Sequence, residues 1–294
     1  MRVVKWRLLV AALLLATSTG LVARARQTTS DEQAQKVLRE ARAAVGGESK
    51  LKAVGGASAT WKFTRVAAGG GQDTGELRYD FSLPGQFGKK EVVNLSGNLG
   101  QVTTISALNG ERASSDVRSS SNDVPVVNAS PNKIDEAAVR QRLQKEFASY
   151  VLQLLLTAPP SVPVAIAYVG EAEAEDGRAD VLEATGANNF SMRLFFDKET
   201  HLLRLASYRE PARRRFTAPS SKSANSLLPQ QKTTEVAPTE VEVQLRFSEF
   251  RAEGGVLVPH RITRERGGKI DMEMELKDFK VNPSFKPGYF DGKQ

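Results

Sequence analysis

The strongest pattern in this chain is a strict alternation of apolar and polar residues. It runs through Leu77–Leu83, Val241–Phe247 and Ile270–Leu276, where every second residue is apolar. Because successive side chains of a β-strand point to opposite faces of the sheet, this period of two predicts half-buried antiparallel strands. A further strand pattern at Val256–Thr263 lies between the last two segments, and the three together predict an antiparallel meander. Pro259 in its middle strand indicates a bulge or an edge position, since proline cannot donate to the ladder.

Weaker strand patterns bring the predicted total to about ten or eleven strands. They occur at 61–63, 92–95, 102–108, 164–169, 179–184, 190–196 and 202–208. Two polar segments show no periodicity. Ser114–Asn132 is predicted to be an exposed loop, and Pro211–Pro238 is predicted to be a mobile basic loop.

Two stretches carry apolar residues at helical spacing. The first starts at Ser30, which can cap the helix while Gln33 completes a capping box, and it ends at Gly46. The second runs from Asp135 to Thr157 and becomes apolar on most sides near its end, which is typical of a helix surrounded by protein. Since the strands are consecutive, with no strand–helix–strand alternation, the predicted fold class is mainly β with α (α+β). We expect a long, curved antiparallel sheet whose apolar face is covered by the two helices or closed on itself.

Residues 1–25 have the three-part layout of a secretory signal. Basic residues precede an apolar run over Leu8–Ala16, and Ala23 and Ala25 place small residues where a signal peptidase cleaves. The run is about half of the roughly 20 residues that span a bilayer, so a permanent membrane tether is the weaker alternative. We therefore expect a signal peptide over 1–25 and a single exported, soluble periplasmic domain over 26–294.

The predicted cleavage changes the meaning of the net charge. The whole chain has a formal net charge of +7, but residues 1–25 hold four cations and no acid. Five more cations, again without an acid, lie in 211–234, so the remainder of the chain is slightly negative. The basic character therefore belongs to a leader and one local segment. No nucleic-acid-binding motif accompanies it, and we expect no nucleic-acid partner.

The residue types that serve most catalytic and metal sites are scarce. The chain has no cysteine and only two histidines, His201 and His260, which lie far apart. It contains no Gly-x-Ser-x-Gly nucleophile motif and no phosphate-binding glycine loop, and the acids at 171–176 lack the spacing of a calcium loop. We expect a protein that is not an enzyme and has no cofactor and no metal.

The layout of the chain, together with four short phrases, resembles the periplasmic outer-membrane lipoprotein carrier family with the LolA/LolB-like fold. The phrases are Ala43–Gly47, Phe195–Leu202, Phe250–His260 and Val281–Phe285 with Phe290-Asp291. The resemblance implies an unclosed β-barrel with helices in its mouth, enclosing an apolar cavity for acyl chains. The insertion at 211–238 is unlike the compact carriers, and the lack of cysteine excludes the membrane-anchored acceptor type. No functional residue of the family is carried over.

The inward faces of the predicted strands supply candidates for such a cavity. Large or flexible apolar side chains there can hold acyl chains, because each buried CH₂ group contributes about 0.8 kcal/mol; the alternative is that they fill an ordinary core. The cavity candidates are Leu77, Tyr79, Phe81, Phe190, Met192, Leu194, Phe196, Val243, Leu245, Phe247, Met272 and Met274. The lid candidates on the second helix are Phe147, Val151, Leu154 and Leu155. The candidates for contact with an anionic headgroup are Arg213, Arg214 and Arg215, for which a solvated loop is the alternative.

Two functional hypotheses remain open at this point. The first is a non-catalytic exported carrier or sensor that binds acyl chains of a lipid or lipoprotein and touches a membrane surface transiently. The second is an envelope structural or protein-interaction domain with a packed core and no small ligand. An interior cavity of roughly 300–1,000 Å³, the size of ordinary ligand sites, favours the first hypothesis. The oligomeric state is left open.

Overall fold

The computed structural model describes residues 30–67, 70–120, 135–174, 177–211 and 240–292. The predicted signal at 1–25, the predicted headgroup residues Arg213–Arg215 and residues 212–238 of the predicted loop lie outside these ranges.

The described residues form three α-helices and twelve β-strands. The helices are α1 (30–44), α2 (Glu48–Lys52) and α3 (Glu136–Leu155). The strands are β1 (Gly56–Val66), β2 (Gln72–Ser82), β3 (Gln86–Asn94), β4 (Gln101–Asn109), β5 (Arg112–Ser119), β6 (Val164–Ala174), β7 (Gly177–Gly186), β8 (Phe190–Asp197), β9 (Leu203–Pro211), β10 (Glu240–Glu253), β11 (Val256–Arg266) and β12 (Lys269–Val281).

All twelve strands belong to one antiparallel sheet in the order β5-β4-β3-β2-β1-β12-β11-β10-β9-β8-β7-β6. Neighbours in the sheet are neighbours along the chain, with one exception. That exception is the pairing of β1 with β12, which joins the strands before α3 to those after it. The two end strands, β5 and β6, are not paired with each other, so the sheet is not closed into a barrel. The predicted fold class and the predicted meander β10-β11-β12 are confirmed.

The sheet bends at several irregularities in its ladders. Register shifts occur at Thr60/Trp61 between β1 and β12 and at Arg264/Glu265 between β11 and β12. Such bulges add an unpaired residue, which bends the strand and increases its twist. Both shifts lie near the middle of the sheet.

The alternation of the sequence separates the core from the outer surface. Leu77 and Phe81 of β2 are buried, whereas Glu76 and Arg78, which flank Leu77, are exposed. The helical spacing is confirmed in the same way, because the predicted stripe of α1 is entirely buried. Its members are Ala34, Val37, Leu38, Ala41 and Val45.

Side-chain and backbone contacts define the ends of the helices. Asp135 caps α3 by accepting hydrogen bonds from the backbone N–H groups of Ala137 and Ala138. At the other end, the Arg42 guanidinium of α1 donates to the carbonyl of Leu156 at 2.7 and 3.2 Å, which ties the two helices together. The predicted cap at Ser30 is wrong, because Ser30 already belongs to α1; its hydroxyl donates to the carbonyl of Tyr168 on β6 at 2.9 Å. α1 ends before Gly46 as predicted, and Gly46 has a φ of +133°. A Cβ there would lie 2.8 Å from the carbonyl oxygen of Gly255, so the position requires glycine.

The predicted exposed loop at Ser114–Asn132 is wrong for its first part. Residues up to Ser119 belong to β5, which pairs with β4 along its whole length, and residues 121–132 lie outside the described ranges. Serine has weak strand propensity, but pairing with β4 and packing against α3 outweigh it. One cross-strand contact joins the hydroxyls of Ser106 and Ser115 at 3.0 Å.

Pro259 occupies the predicted kind of position. It pairs with Phe250 of β10 on one side, whereas β12 pairs with β11 only from Arg261 onward. Pro259 therefore lies in a part of β11 that is locally an edge, and its missing N–H removes no bond to β12.

Candidate functional site

A cavity of about 590 Å³ lies between the concave face of the sheet and α3. Its apolar floor comes from the inward face of the central strands. The floor residues are Trp61, Leu77, Leu245, Ile262, Met272 and Met274. The cavity volume falls within the roughly 300–1,000 Å³ typical of ligand sites.

The helix lines one side of the cavity with its polar residues. Arg142, Lys145, Glu146, Ser149 and Gln153 line the cavity, and their spacing of three or four residues places them on one stripe of α3. The opposite stripe of the same helix is fully buried among apolar side chains. Because the sheet supplies apolar groups and the helix supplies polar ones, the cavity is amphipathic.

Two of these helix residues contact the apolar wall. The Ser149 hydroxyl lies 3.9 Å from the sulfur of Met192, and the Gln153 amide donates to Ser149 at 2.7 Å. The small Ser149 side chain therefore lies at the surface of the cavity, next to Met192.

Ion pairs surround the floor. Arg65 of β1 contacts Asp73 at 3.3 Å and Glu91 at 3.0 Å. Lys89 of β3 reaches across to Glu146 of α3 at 3.2 Å and so bridges the sheet and the helix.

A second group of charges lies on β9, β11 and β12. Arg264 makes two parallel bonds to Asp271, at 2.7 and 2.9 Å. Arg266 contacts the same carboxylate at 3.3 Å and also pairs with Glu210. The floor of the cavity is therefore apolar, and its border is held by charged networks.

Burial and neighbouring charges determine the protonation states of the lysine and tyrosine side chains that line the cavity. Burial opposes the positive charge of Lys89, but Tyr79, Glu146 and Glu91 together hold the pKa of Lys89 above its ordinary value. Burial raises the pKa of the Tyr79 and Tyr150 phenols, and burial together with Glu210 raises the pKa of Tyr208 to about 12. At neutral pH the lining thus presents a lysine cation and neutral hydroxyl groups.

The structure divides the twelve predicted cavity residues into two sets. Seven of them line the cavity: Leu77, Tyr79, Phe190, Met192, Leu245, Met272 and Met274. The other five are buried in the packed core instead: Phe81, Leu194, Phe196, Val243 and Phe247. Contact of either set with a ligand stays a prediction.

The predicted lid residues belong to α3 but do not line this cavity. Phe147, Val151 and Leu155 are fully buried, and Leu154 is partly buried against the same core. The side of α3 that does line the cavity is the polar stripe, together with Tyr150.

Sequence reasoning missed the charged border of the cavity. The sequence signal for it is a charged residue that falls on the inward face of a strand. On β1 the inward series Trp61 and Phe63 continues to Arg65, and on β11 the inward residue Ile262 is followed two residues later by Arg264. A charged residue at an inward position, next to apolar ones, indicates a polar site at the end of an apolar face.

The remaining charged groups of interest lie elsewhere. His260 lies 3.1 Å from Glu253, and His201 lies 3.9 Å from Glu40; neither lines the cavity. Glu171 pairs with Lys198 and Arg178 beside the turn between β6 and β7. Within the described ranges, no group of three or more His, Asp or Glu residues could hold a metal ion.

A second cavity of about 540 Å³ lies beside the outer face of β1, β2 and β12. Its lining includes Lys62, Glu76, Arg261, Glu273 and Glu275, which are mostly polar surface residues of the strands. Its apolar lining is limited to Phe63, Val92 and Met274, so it is a weaker candidate for a ligand that contains acyl chains.

No helix in the described part of the chain is long and apolar enough to cross a membrane. No protein-family model matches the chain, and no curated protein matches it.

Several solved structures match this chain over most of its length. A LolA superfamily protein from Nitrosomonas europaea matches at a TM-score of 0.47 and 12% identity, covering 87% of this chain and 96% of that one. A putative outer membrane lipoprotein-sorting protein domain from Vibrio parahaemolyticus matches at 0.46 and 10%, covering 89% and 97%. A DUF1329 family protein from Desulfovibrio piger matches at 0.43 and 11%, covering 87% and 96%. The solved structures that match this chain thus include a LolA superfamily protein and a putative lipoprotein-sorting domain, in line with the predicted resemblance, and the function has to be argued from the cavity.

Proposed function

We propose that this chain is an exported, non-catalytic carrier or sensor that binds an amphiphile, with the acyl chain of a lipid or lipoprotein in the cavity between the sheet and α3. The observation that carries this proposal is the cavity of about 590 Å³ with an apolar floor and a charged border. Such a division matches a molecule with an apolar tail and a polar end.

The driving force is the removal of the tail from water. Each CH₂ group transferred onto the floor formed by Trp61, Leu77 and Met272 contributes about 0.8 kcal/mol. Methionine side chains adapt to tails of different shape, because their unbranched thioether chains rotate freely. The seven predicted apolar residues that line the cavity are the ones proposed to contact the tail.

The first experiment identifies what the protein carries. Protein purified without detergent is extracted with organic solvent, and the extract is compared by mass spectrometry with that of delipidated protein. We expect an amphiphile that co-purifies, and uptake of a fluorescent fatty acid by the delipidated protein. Absence of both would refute the carrier and leave the envelope interaction domain as the explanation.

A substitution that fills the cavity makes the test specific. Ser149→Trp places an indole ring within the cavity, and we expect the affinity for the fluorescent fatty acid to fall at least about tenfold. Gln141→Trp is the matched control, because Gln141 is exposed on the same helix and does not line the cavity. Equal affinities of the two variants would show that the tail binds elsewhere.

Export is the second part of the proposal. Residues 1–25 support it through their signal-like pattern. N-terminal sequencing of the protein recovered from the exported fraction should start after Ala25. Recovery of a chain that still begins at Met1 would contradict cleavage.

A further inference from the structure

We propose that the amphiphile is anionic at its polar end, as in a long-chain carboxylate or a phosphorylated lipid, and that this end lies among the cations that border the cavity. The inference rests on the proposed function, because it assigns the polar end of the same ligand. It concerns residues of the sheet and α3 rather than the arginines at 213–215.

The border has more cations than carboxylates. Seven cations line the cavity: Arg65, Lys89, Arg142, Lys145, Arg209, Arg264 and Arg266. Three carboxylates line it, at Glu91, Glu146 and Glu210, and two more outside the lining, Asp73 and Asp271, pair with these cations. Two positive charges therefore remain in excess, which favours a ligand that supplies negative charge.

Individual groups show where this excess lies. Lys145 has no carboxylate partner in the described part of the chain. The carboxylate near Arg142 is that of Glu146, at 4.0 Å and shared with Lys89, and Arg142 also donates to the Ser115 hydroxyl at 3.4 Å. In addition, Nη1 of Arg266 is buried without a hydrogen-bond partner among the described residues. A carboxylate or phosphate offers several acceptor oxygens, so it can bind more than one of these donors at once.

The register of the sheet places the cations next to the floor. Met272 of β12 pairs with Arg65 of β1 on one side and with Arg264 of β11 on the other. Paired residues share a face of the sheet, and strands lie about 4.8 Å apart, so these two guanidinium groups flank the methionine. A tail on Met272 therefore has its polar end within reach of the charged border.

A purely structural role for the cations makes a different prediction. If the charges only neutralise one another, their removal changes stability but does not change the preference among ligands with the same tail. The test therefore compares ligands that differ only in the polar end: dodecanoate, dodecyl phosphate and dodecanol, with acetate and inorganic phosphate as tail-free arms.

The variant for this test is Arg142→Gln with Lys145→Gln. Its matched control is Lys36→Gln with Arg39→Gln, which removes two cations at the same spacing from the exposed side of α1. We expect the full chain to bind both anionic ligands more tightly than dodecanol. We expect the first variant to lose about tenfold in affinity for the anions and to keep its affinity for dodecanol, whereas the control keeps all affinities.

Each other outcome has a definite meaning. Equal affinity for all three ligands would overturn the anionic end and leave the carrier function standing. No binding of any of the three would overturn the carrier function itself. Binding of inorganic phosphate as tight as that of dodecyl phosphate would identify a free-anion site and overturn the inference. Whichever of dodecanoate and dodecyl phosphate binds more tightly identifies the chemical source of the negative charge.

Discussion

Two regions of the concave face of the sheet have the same alternation of apolar and polar residues, but one is closely packed and the other lines a cavity. In the packed region, Phe81 and Phe87 of the sheet meet Phe147 of α3, with ring centroids 6.3 and 5.6 Å apart. In the cavity region, Trp61, Leu77 and Met272 face the polar stripe of the same helix instead. Strand pattern alone does not distinguish the two regions. The apolar side of α3 packs against the first region, and its polar side faces the second. The orientation of α3 about its own axis therefore determines which region is closely packed.

The largest expected effect is a difference between two leucines. Leu194 on β8 is fully buried, and Leu245 on β10 is partly buried and lines the cavity. Leu194→Ala should lower the free energy of unfolding by about 3 kcal/mol, because it opens a void in close packing. Leu245→Ala should cost only about 1 kcal/mol, because space already adjoins the side chain. Urea unfolding of both variants measures the difference, and equal losses would contradict the division into two regions.

A smaller effect is expected for the ion pair that holds the cavity region to the helix. Lys89 and Glu146 are 3.2 Å apart, with side-chain exposures of 22% and 31%. A double-mutant cycle with Lys89→Met and Glu146→Gln should give a coupling of about 1 kcal/mol, since the pair is only partly screened by water. A coupling near zero would show that apolar packing alone positions α3 over the cavity.

The smallest effect at neutral pH concerns the ionisable groups of the cavity region. The pKa of Lys89 is raised by its charged neighbours, and that of Tyr208 is raised to about 12 by burial and by Glu210. A raised pKa means that the folded state holds the proton more tightly. The resulting stability is complete below the unfolded pKa, about 10 for these groups, and is lost as the pH rises through the folded value.

Stability should therefore not change through these groups between about pH 6 and 9, and it should fall above about pH 10. Tyr208→Phe should reduce the fall between about pH 10 and 12, as measured by urea unfolding at a series of pH values. The same alkaline slope in the variant and the parent chain would exclude Tyr208 as a contributor.

The sequence predicted the elements well where periodicity was long. The alternation at Val241–Phe247 and Ile270–Leu276 predicted β10 and β12, and the apolar stripe predicted both ends of α3 closely. It failed at Ser114–Ser119, where a polar segment becomes a strand because β4 offers it a complete ladder. The local propensity of a segment does not include the effect of a neighbouring strand that it pairs with in the folded protein.

By itself, the sequence determined which residues face inward, because a period of two or of 3.6 assigns each side chain to a face. It therefore determined the antiparallel sheet and the two covering helices. Only the tertiary structure decided that Leu194 is packed while Leu245 lines a cavity, and that Arg65 and Arg264 flank Met272. The physical reason is that volume and charge balance depend on which elements meet. A one-dimensional pattern specifies the side of an element but not what lies opposite it.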